Sequence, residues 1–197
     1  MIKLIFASNN KNKALEIKAI LGDGFSIQTM AEAGIHLDIP EPHDTLEANA
    51  REKSMTIHQL TGMDCFAEDS GLEVDALDGA PGVRSARYAG PDANTAANNL
   101  KLLEAMAGKI NRIARFRTVI SLILQGKEYQ FEGCCTGQIA LEPAGTEGFG
   151  YDPLFIPDGA SCTFAEMSIT AKSALSHRKK AVAQMTSFLQ ENNTKPL

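Results

Sequence analysis

ARFRTVISLILQGKEYQFEGCCTGQIAL, residues 114–141, carries the strongest β signal in the chain. From Ala114 to Leu124 the side chains alternate and β-branched residues are frequent, a composition that suits a pleated, half-buried surface. Gln125-Gly126-Lys127 turns the chain, and a second long run follows from Glu128 to Leu141. Two runs joined by a short Gly-containing turn read as one long hairpin. Elsewhere the strand signals alternate with helical ones, so the hairpin predicts an α/β protein with a mixed sheet, not a purely parallel one.

Working outward, Ile2 to Ala7 reads as a short buried strand and Phe25 to Met30 as a second. Between them a helix is expected to about Leu21: Ser8, Asn9 and Asn10 are capping residues, Ala14, Ile17, Ile20 and Leu21 share a face, and Gly22 ends it. Residues 34–44 form a loop rich in Pro, His and acids, and Thr45 to about Leu60 is helical, stopped at Thr61-Gly62. Asp64 to Glu68 is a strand that ends at Asp69, and Leu72 to Ala76 is expected as another. A Gly/Pro-rich loop covers 78–93, and a helix spans Thr95 to Ala107 with Leu100, Leu103 and Ala107 on one face. Residues 143–163 are again Gly/Pro-rich. Ser176 caps a last helix whose inward face is Val182, Met185, Phe188 and Leu189, and the tail ENNTKPL is expected to fray.

The 197 residues suit a single domain, 1–197, with a sizeable core. A net charge of −5 argues against a nucleic-acid surface, which needs a basic footprint. Four cysteines without a C-x-x-C spacing fit neither a disulfide framework nor a zinc site, so a reducing, cytoplasmic setting is expected. The opening MIKLIFASNN has too short an apolar run for a signal segment, and no stretch reaches membrane-spanning length, so no membrane partner is expected.

Four stretches could carry chemistry. ASNNKNK, residues 7–13, places Lys11 and Lys13 at a helix N-terminus. Cations there oppose the macrodipole by about 0.3–1 kcal/mol each, and an anion between them would reverse the penalty; two solvated lysines are the plain alternative. Glu68-Asp69 ends an apolar strand, and with Glu41 offers carboxylates to a hard cation such as Mg²⁺; an Asx or ST turn is the alternative. GFGYDP, residues 148–153, sets Phe149 and Tyr151 among glycines where they could stack on a flat ring, or simply pack in a tight turn. Lys172 and SHRKK, residues 176–180, put His177 and Arg178 at a second cation-rich helix start, where they could donate to carbonyl oxygens of a base or form a basic surface turn. Together the four specify a ligand that is polyanionic at one end, metal-bound and flat at the other: a nucleoside triphosphate with Mg²⁺.

SNNKNK, EDSGLEVDALDGAPGVRSARYAG, GFGYDPLFIP and KSALSHRKKA, in this order and spacing, closely resemble the inosine/xanthosine triphosphate pyrophosphatase family over essentially the whole chain. The resemblance implies an elongated two-lobed α/β fold around a long mixed sheet with an active-site cleft between lobes, and a homodimer. It also implies hydrolysis of deaminated purine nucleoside triphosphates (ITP, dITP, XTP) to the monophosphate and pyrophosphate with Mg²⁺. Carried across by residue, Ser8, Asn9, Asn10, Lys11, Asn12 and Lys13 would hold the triphosphate, with Lys53 nearby. Asp69 would be catalytic base and metal contact, Glu41 a second metal ligand, and Ser70 a substrate contact. Phe149, Gly150, Tyr151 and Asp152 would line the nucleoside site, and Lys172, His177 and Arg178 would complete recognition. His177 or Arg178 would pair with the 6-carbonyl of inosine or xanthosine and reject the 6-amino group of adenosine. The chain departs from the family at Glu68, where Asp is commoner, and at Ala48-Asn49-Ala50, where the family has Glu-Asn-Ala.

Overall fold

The computed structural model describes residues 2–22 and 24–193. Its strands are β1 (Ile2–Phe6), β2 (Phe25–Thr29), β3 (Cys65–Val74), β4 (Pro81–Gly82), β5 (Ile113–Leu124), β6 (Lys127–Ile139) and β7 (Phe155–Pro157). The helices are α1 (Lys11–Leu21), α2 (Leu46–Thr61), α3 (Thr95–Ala105), α4 (Ile169–Leu175) and α5 (His177–Asn193). The strands form one seven-stranded sheet in the order β2-β1-β3-β5-β6-β7, with β4 on β3. β1 pairs parallel with β2 and β3, whereas β3–β4 and β6–β7 are antiparallel. The expected α/β architecture with a mixed sheet is therefore found. β5 and β6 form the expected hairpin; Gln125 at φ 51° and Gly126 at φ 76° supply the positive φ values of a two-residue hairpin turn.

The chain divides into two compact units. The first holds residues 1–69, 118–133 and 178–197, and the second 70–117 and 134–177. In the first unit, strand alternation sends Leu4, Phe6, Phe66, Ile120 and Leu122 to one face, where they pack with Ala14 and Ile17 of α1 and Val182, Met185 and Leu189 of α5. Phe6 and Phe66 stack at 4.9 Å. Ile5, Ala7, Cys65, Ala67 and Ile123 point the other way, onto Ile57 of α2. The second unit has its own core, in which Leu72, Val74, Leu102, Phe116, Leu154, Phe155 and Phe164 meet.

Local signals explain the helix ends. Asn10 Oδ1 accepts from Lys13 N–H at 3.1 Å, and Thr45 Oγ1 accepts from Ala48 N–H at 3.2 Å. Gly62 closes α2 in the left-handed region. Three expectations need correction. β3 does not end at Asp69: it runs unbroken through Ser70-Gly71 to Val74. Gly71 is there for close approach, since a Cβ would collide with the Gly82 carbonyl oxygen across the β3–β4 pair. α3 buries Asn98 and Leu102, followed by Met106, whereas Leu100 is exposed; a polar residue on the inner face hid the true stripe. The short α4 was not expected. The tail ENNTKPL, 191–197, was expected to fray, but α5 stays helical through Asn193; 194–197 lie outside the described residues. Among the described residues no helix is long and apolar enough to cross a membrane.

Candidate active site

Glu68 and Asp69 are neighbours on β3, so they project to opposite faces of the sheet. Both are buried, and each meets cations of the protein itself. Glu68 falls on the α1/α5 face. Arg178 Nε donates to its Oε1 and Oε2 at 3.1 and 2.9 Å, and Nη2 donates to Oε1 at 2.9 Å. Lys13 Nζ lies 3.1 Å from Oε1. Arg178 Nη1 also donates to Glu16 Oε2. Burial alone would favour protonated Glu68, but Arg178 and Lys13 outweigh it and hold the carboxyl far below the usual range.

Asp69 falls on the α2 face. Lys53 Nζ donates to Asp69 Oδ1 at 3.2 Å and to Glu41 Oε1 at 2.6 Å. Asn49, one turn before Lys53 on α2, donates Nδ2–H to Asp69 Oδ2 at 3.3 Å. The same amide accepts from His43 N–H at 3.0 Å and donates to His43 C=O at 3.1 Å, which ties the acidic loop to the helix. Burial raises Asp69 above the ordinary carboxylate range and Glu41 adds to this, while Lys53 and Lys13 pull it back only in part. For Lys53, burial opposes the ammonium, but Asp69 and Glu41 prevail and raise its pKa. Glu41 and Asp69 thus converge on one cationic point. Among the described residues no group of three or more His, Cys, Asp or Glu forms a metal cluster. Two hard carboxylates fit Mg²⁺, which takes one or two and fills its shell with water and phosphate oxygens.

Other residues of the first unit shape the start of α1. Ser8 Oγ accepts from Asn10 N–H at 3.1 Å, and Asn9 Oδ1 accepts from Ala31 N–H at 3.0 Å. Lys11 and Asn12 are exposed on the first turn, which contains no acid. Ser8, Asn9 and Asn10 therefore build the junction, and Lys11 and Asn12 leave it accessible.

In the second unit, the Gly148–Asp152 loop is fastened by Asp152. Its Oδ2 accepts from Phe149 N–H at 2.7 Å and from Lys172 Nζ at 2.7 Å. A Cβ at Gly148 would strike this carboxylate, so the loop requires glycine there. Lys172 Nζ stands 5.1 Å from the centroid of the Phe149 ring, within cation–π reach. Phe149 is half-buried, whereas Tyr151 is 4 % exposed and its hydroxyl donates to Ser85 C=O at 2.8 Å. Phe149 leaves part of its ring accessible, whereas Tyr151 belongs to the core, where its hydroxyl has a buried acceptor and its ring is not open to stack as expected. His177 is buried, with its ring stacked on Phe116 at 4.8 Å. Ser70 follows Asp69 on β3 and is half-buried.

Sequence reasoning missed Asn49, Glu16 and Asn99. Asn49 was signalled by an asparagine inside a helix, a poor helix former placed four residues before Lys53. Asn99 on α3 donates Nδ2–H to Gly150 C=O at 3.2 Å. Arg178's carboxylate partners lie 110 and 162 residues away, and no local pattern reports them.

Residues 4–188 match the model of the Ham1 family. A protein of Porphyromonas gingivalis named dITP/XTP pyrophosphatase is 52% identical over 190 residues, covering 96% of this chain and 98% of that one. One of the same name from Flavobacterium johnsoniae is 48% identical over 188 residues, covering 95% and 98%. Among solved structures, the Staphylococcus aureus Ham1 protein is similar with a TM-score of 0.88 at 36% identity, covering 96% of this chain and 99% of that one. A HAM1 protein from Coxiella burnetii gives 0.89 at 36% identity, covering 97% and 100%.

Proposed function

Because the chain belongs to the Ham1 family, we propose that it hydrolyses the deaminated purine nucleoside triphosphates ITP, dITP and XTP to the monophosphate and pyrophosphate. The names of its relatives support the substrate class. The observation that carries the chemistry is Asp69: a buried carboxylate with a raised pKa, steadied by Lys53 and Asn49 and sharing a cationic point with Glu41. A family match across 4–188 supports reading 1–197 as one catalytic domain. The resemblance further supports a cytoplasmic homodimer acting on a small-molecule nucleotide, with neither nucleic acid nor membrane as partner.

Asp69 and Glu41 would hold Mg²⁺, which supplies neutralising charge to the phosphate oxygens when bound. Asp69 orients a water and accepts its proton; the water oxygen bonds to the α-phosphorus, and the bond to the bridging oxygen of the departing pyrophosphate breaks. A carboxylate with a raised pKa is a better base near neutrality than an ordinary one. Lys53, Lys13 and Lys11 counter the charge of the phosphates, and Ser8, Asn9, Asn10 and Asn12 shape the turn that receives them. Ser70 contacts the substrate beside Asp69. Phe149 and the Gly150 backbone take the flat face of the base, with Tyr151 and Asp152 holding that loop and Lys172 over the Phe149 ring. His177 and Arg178 donate to the purine 6-carbonyl; Glu68 and Glu16 fix the Arg178 guanidinium in one orientation. An amino group at the same position leaves such donors facing a donor, at a cost of about 1–3 kcal/mol.

The test incubates the protein with ITP, XTP, GTP and ATP, with and without Mg²⁺, and measures pyrophosphate against orthophosphate. Pyrophosphate from ITP and XTP, dependent on Mg²⁺ and lost in Asp69→Asn, is expected. Orthophosphate in its place overturns cleavage at the α-phosphorus.

A further inference from the structure

α3 presents two asparagines in succession, and they are treated differently. Asn98 is fully engaged: its Oδ1 accepts from Ala89 N–H at 2.6 Å, and its Nδ2 donates to Ala86 C=O at 2.9 Å and Ser85 C=O at 3.4 Å. It pins the turn beneath Tyr151, whose hydroxyl donates to the same Ser85 carbonyl. Asn99 donates to Gly150 C=O at 3.2 Å, yet its Oδ1 is buried with no hydrogen-bond partner. The orientation of the amide follows from its neighbour, since the reverse flip would face Oδ1 to the Gly150 carbonyl. A buried acceptor left unpaired is expensive, and native structures keep few of them without a functional reason.

We propose that Asn99 is a positioning residue for the base-binding loop: its amide sets the Gly150 carbonyl, and through it the Phe149 ring, while its unpaired Oδ1 is the sign that this arrangement is kept for binding and not for stability. The proposal rests on the reading of Gly148–Asp152 as the place of the purine. Gly150 has φ +65° and Gly148 φ +77°, so the two residues flanking Phe149 have no side chain to pin them. The Phe149 N–H is held on one side by Asp152. Asn99 supplies a further attachment, from a different element, and with Asp152 and Lys172 it holds the segment that carries the ring. A side chain present only to support α3 would have both ends of its amide paired, as Asn98 has.

This predicts an unusual dissociation of effects. Asn99→Leu removes the donor to Gly150 and the orphaned acceptor together, so the melting temperature is expected to stay level or rise. The affinity for IMP is nonetheless expected to fall about tenfold, the worth of one well-made hydrogen bond. Binding of inorganic tripolyphosphate, which has no base, is expected to be unchanged. Asn99→Asp, which keeps the size but turns an acceptor toward the Gly150 carbonyl, serves as a second variant and is expected to lose IMP affinity to at least the same degree. Phe149→Ala is measured alongside by calorimetry with the same two ligands. Loss of IMP affinity in all three variants with tripolyphosphate retained supports the assignment. Loss in Phe149→Ala alone overturns the role of Asn99 and leaves the loop's role standing. Unchanged IMP affinity in Phe149→Ala overturns the reading of the loop as the base site, and the inference falls with it. A lower melting temperature in Asn99→Leu with unchanged IMP binding shows a merely structural asparagine and also overturns it.

Discussion

Arg178→Ala is the perturbation whose size the structure fixes best. Arg178 and Glu68 are each 2 % exposed. Removing the guanidinium leaves a carboxylate that water cannot reach, and breaking a buried ion pair from one side costs about 3–5 kcal/mol. Lys13 remains 3.1 Å from Glu68 and offsets part of this, so the lower end applies. For a chain of this length about 3 kcal/mol corresponds to a fall in Tm of about 6–12 °C. The double variant Arg178→Met/Glu68→Leu removes the charge together with its partner. It should recover most of the loss, because a buried pair exchanged for apolar residues of similar volume is often neutral. The assay is urea unfolding of the wild type, Arg178→Met, Glu68→Leu and the double, closed as a double-mutant cycle beside Arg178→Ala, and the expected coupling is at least about 2 kcal/mol. The pH dependence has a definite sign. Glu68 is depressed in the folded state, so its contribution is present at neutral pH and is lost as pH falls below its unfolded value toward the folded one. In Arg178→Ala that depression shrinks, so the acid-dependent loss still begins near the unfolded value but is smaller and is complete at a higher pH. A single variant within about 1 kcal/mol of wild type, or a double variant as unstable as the sum of the singles, would refute the reasoning.

Lys53 lowers the pKa of Asp69, so Lys53→Met should move the acid limb of the kcat/KM profile to higher pH; a limb that stays or moves down contradicts Asp69 as the titrating base. Glu41→Gln should raise the Mg²⁺ concentration needed for half-maximal ITP turnover several-fold and be largely rescued at saturating metal; an unchanged requirement removes Glu41 from the metal site. Gly71→Ala forces a Cβ onto the Gly82 carbonyl and should cost about 1–3 kcal/mol in urea unfolding, with no loss expected if β3 and β4 separate freely. Arg178→Ala should also narrow the ITP to ATP preference, and an unchanged ratio removes Arg178 from base recognition.

Much of this was legible because it is local. Alternation in 114–141 revealed the hairpin, and Asn10, Thr45, Gly22 and Gly62 marked helix ends through their own backbone chemistry. The failures share a cause in distant partners. Gly71 reads as a turn residue unless one knows that Gly82 lies against it. Asn98 interrupts the apolar stripe of α3 because it serves main-chain groups nine or more residues earlier in the chain. Tyr151 reads as a stacking ring unless its hydroxyl is known to reach Ser85, 66 residues away. Of the site, residue types and order were legible, but not that Glu68 and Asp69 part company. That last point was available from strand periodicity, and was missed because β3 was expected to stop where it continues.

The parting of Glu68 and Asp69 has a consequence for how the chain can change. A strand is a two-track carrier: odd positions in this part of β3 address α2, and even positions address α1 and α5. One track ends in the acid assigned to chemistry, the other in the acid that anchors Arg178 and Lys13. Substitution changes a side chain on one track and keeps the direction of the other, although Lys13, paired with Glu68, also acts on Asp69. An inserted or deleted residue between Cys65 and Glu68 does not keep that direction: it exchanges the tracks beyond it, turning the anchoring acid toward Lys53 and the acid proposed as base toward Arg178. Variation in this segment is thus confined to changes of side chain, and its length is fixed by the need to deliver two opposite addresses in consecutive residues.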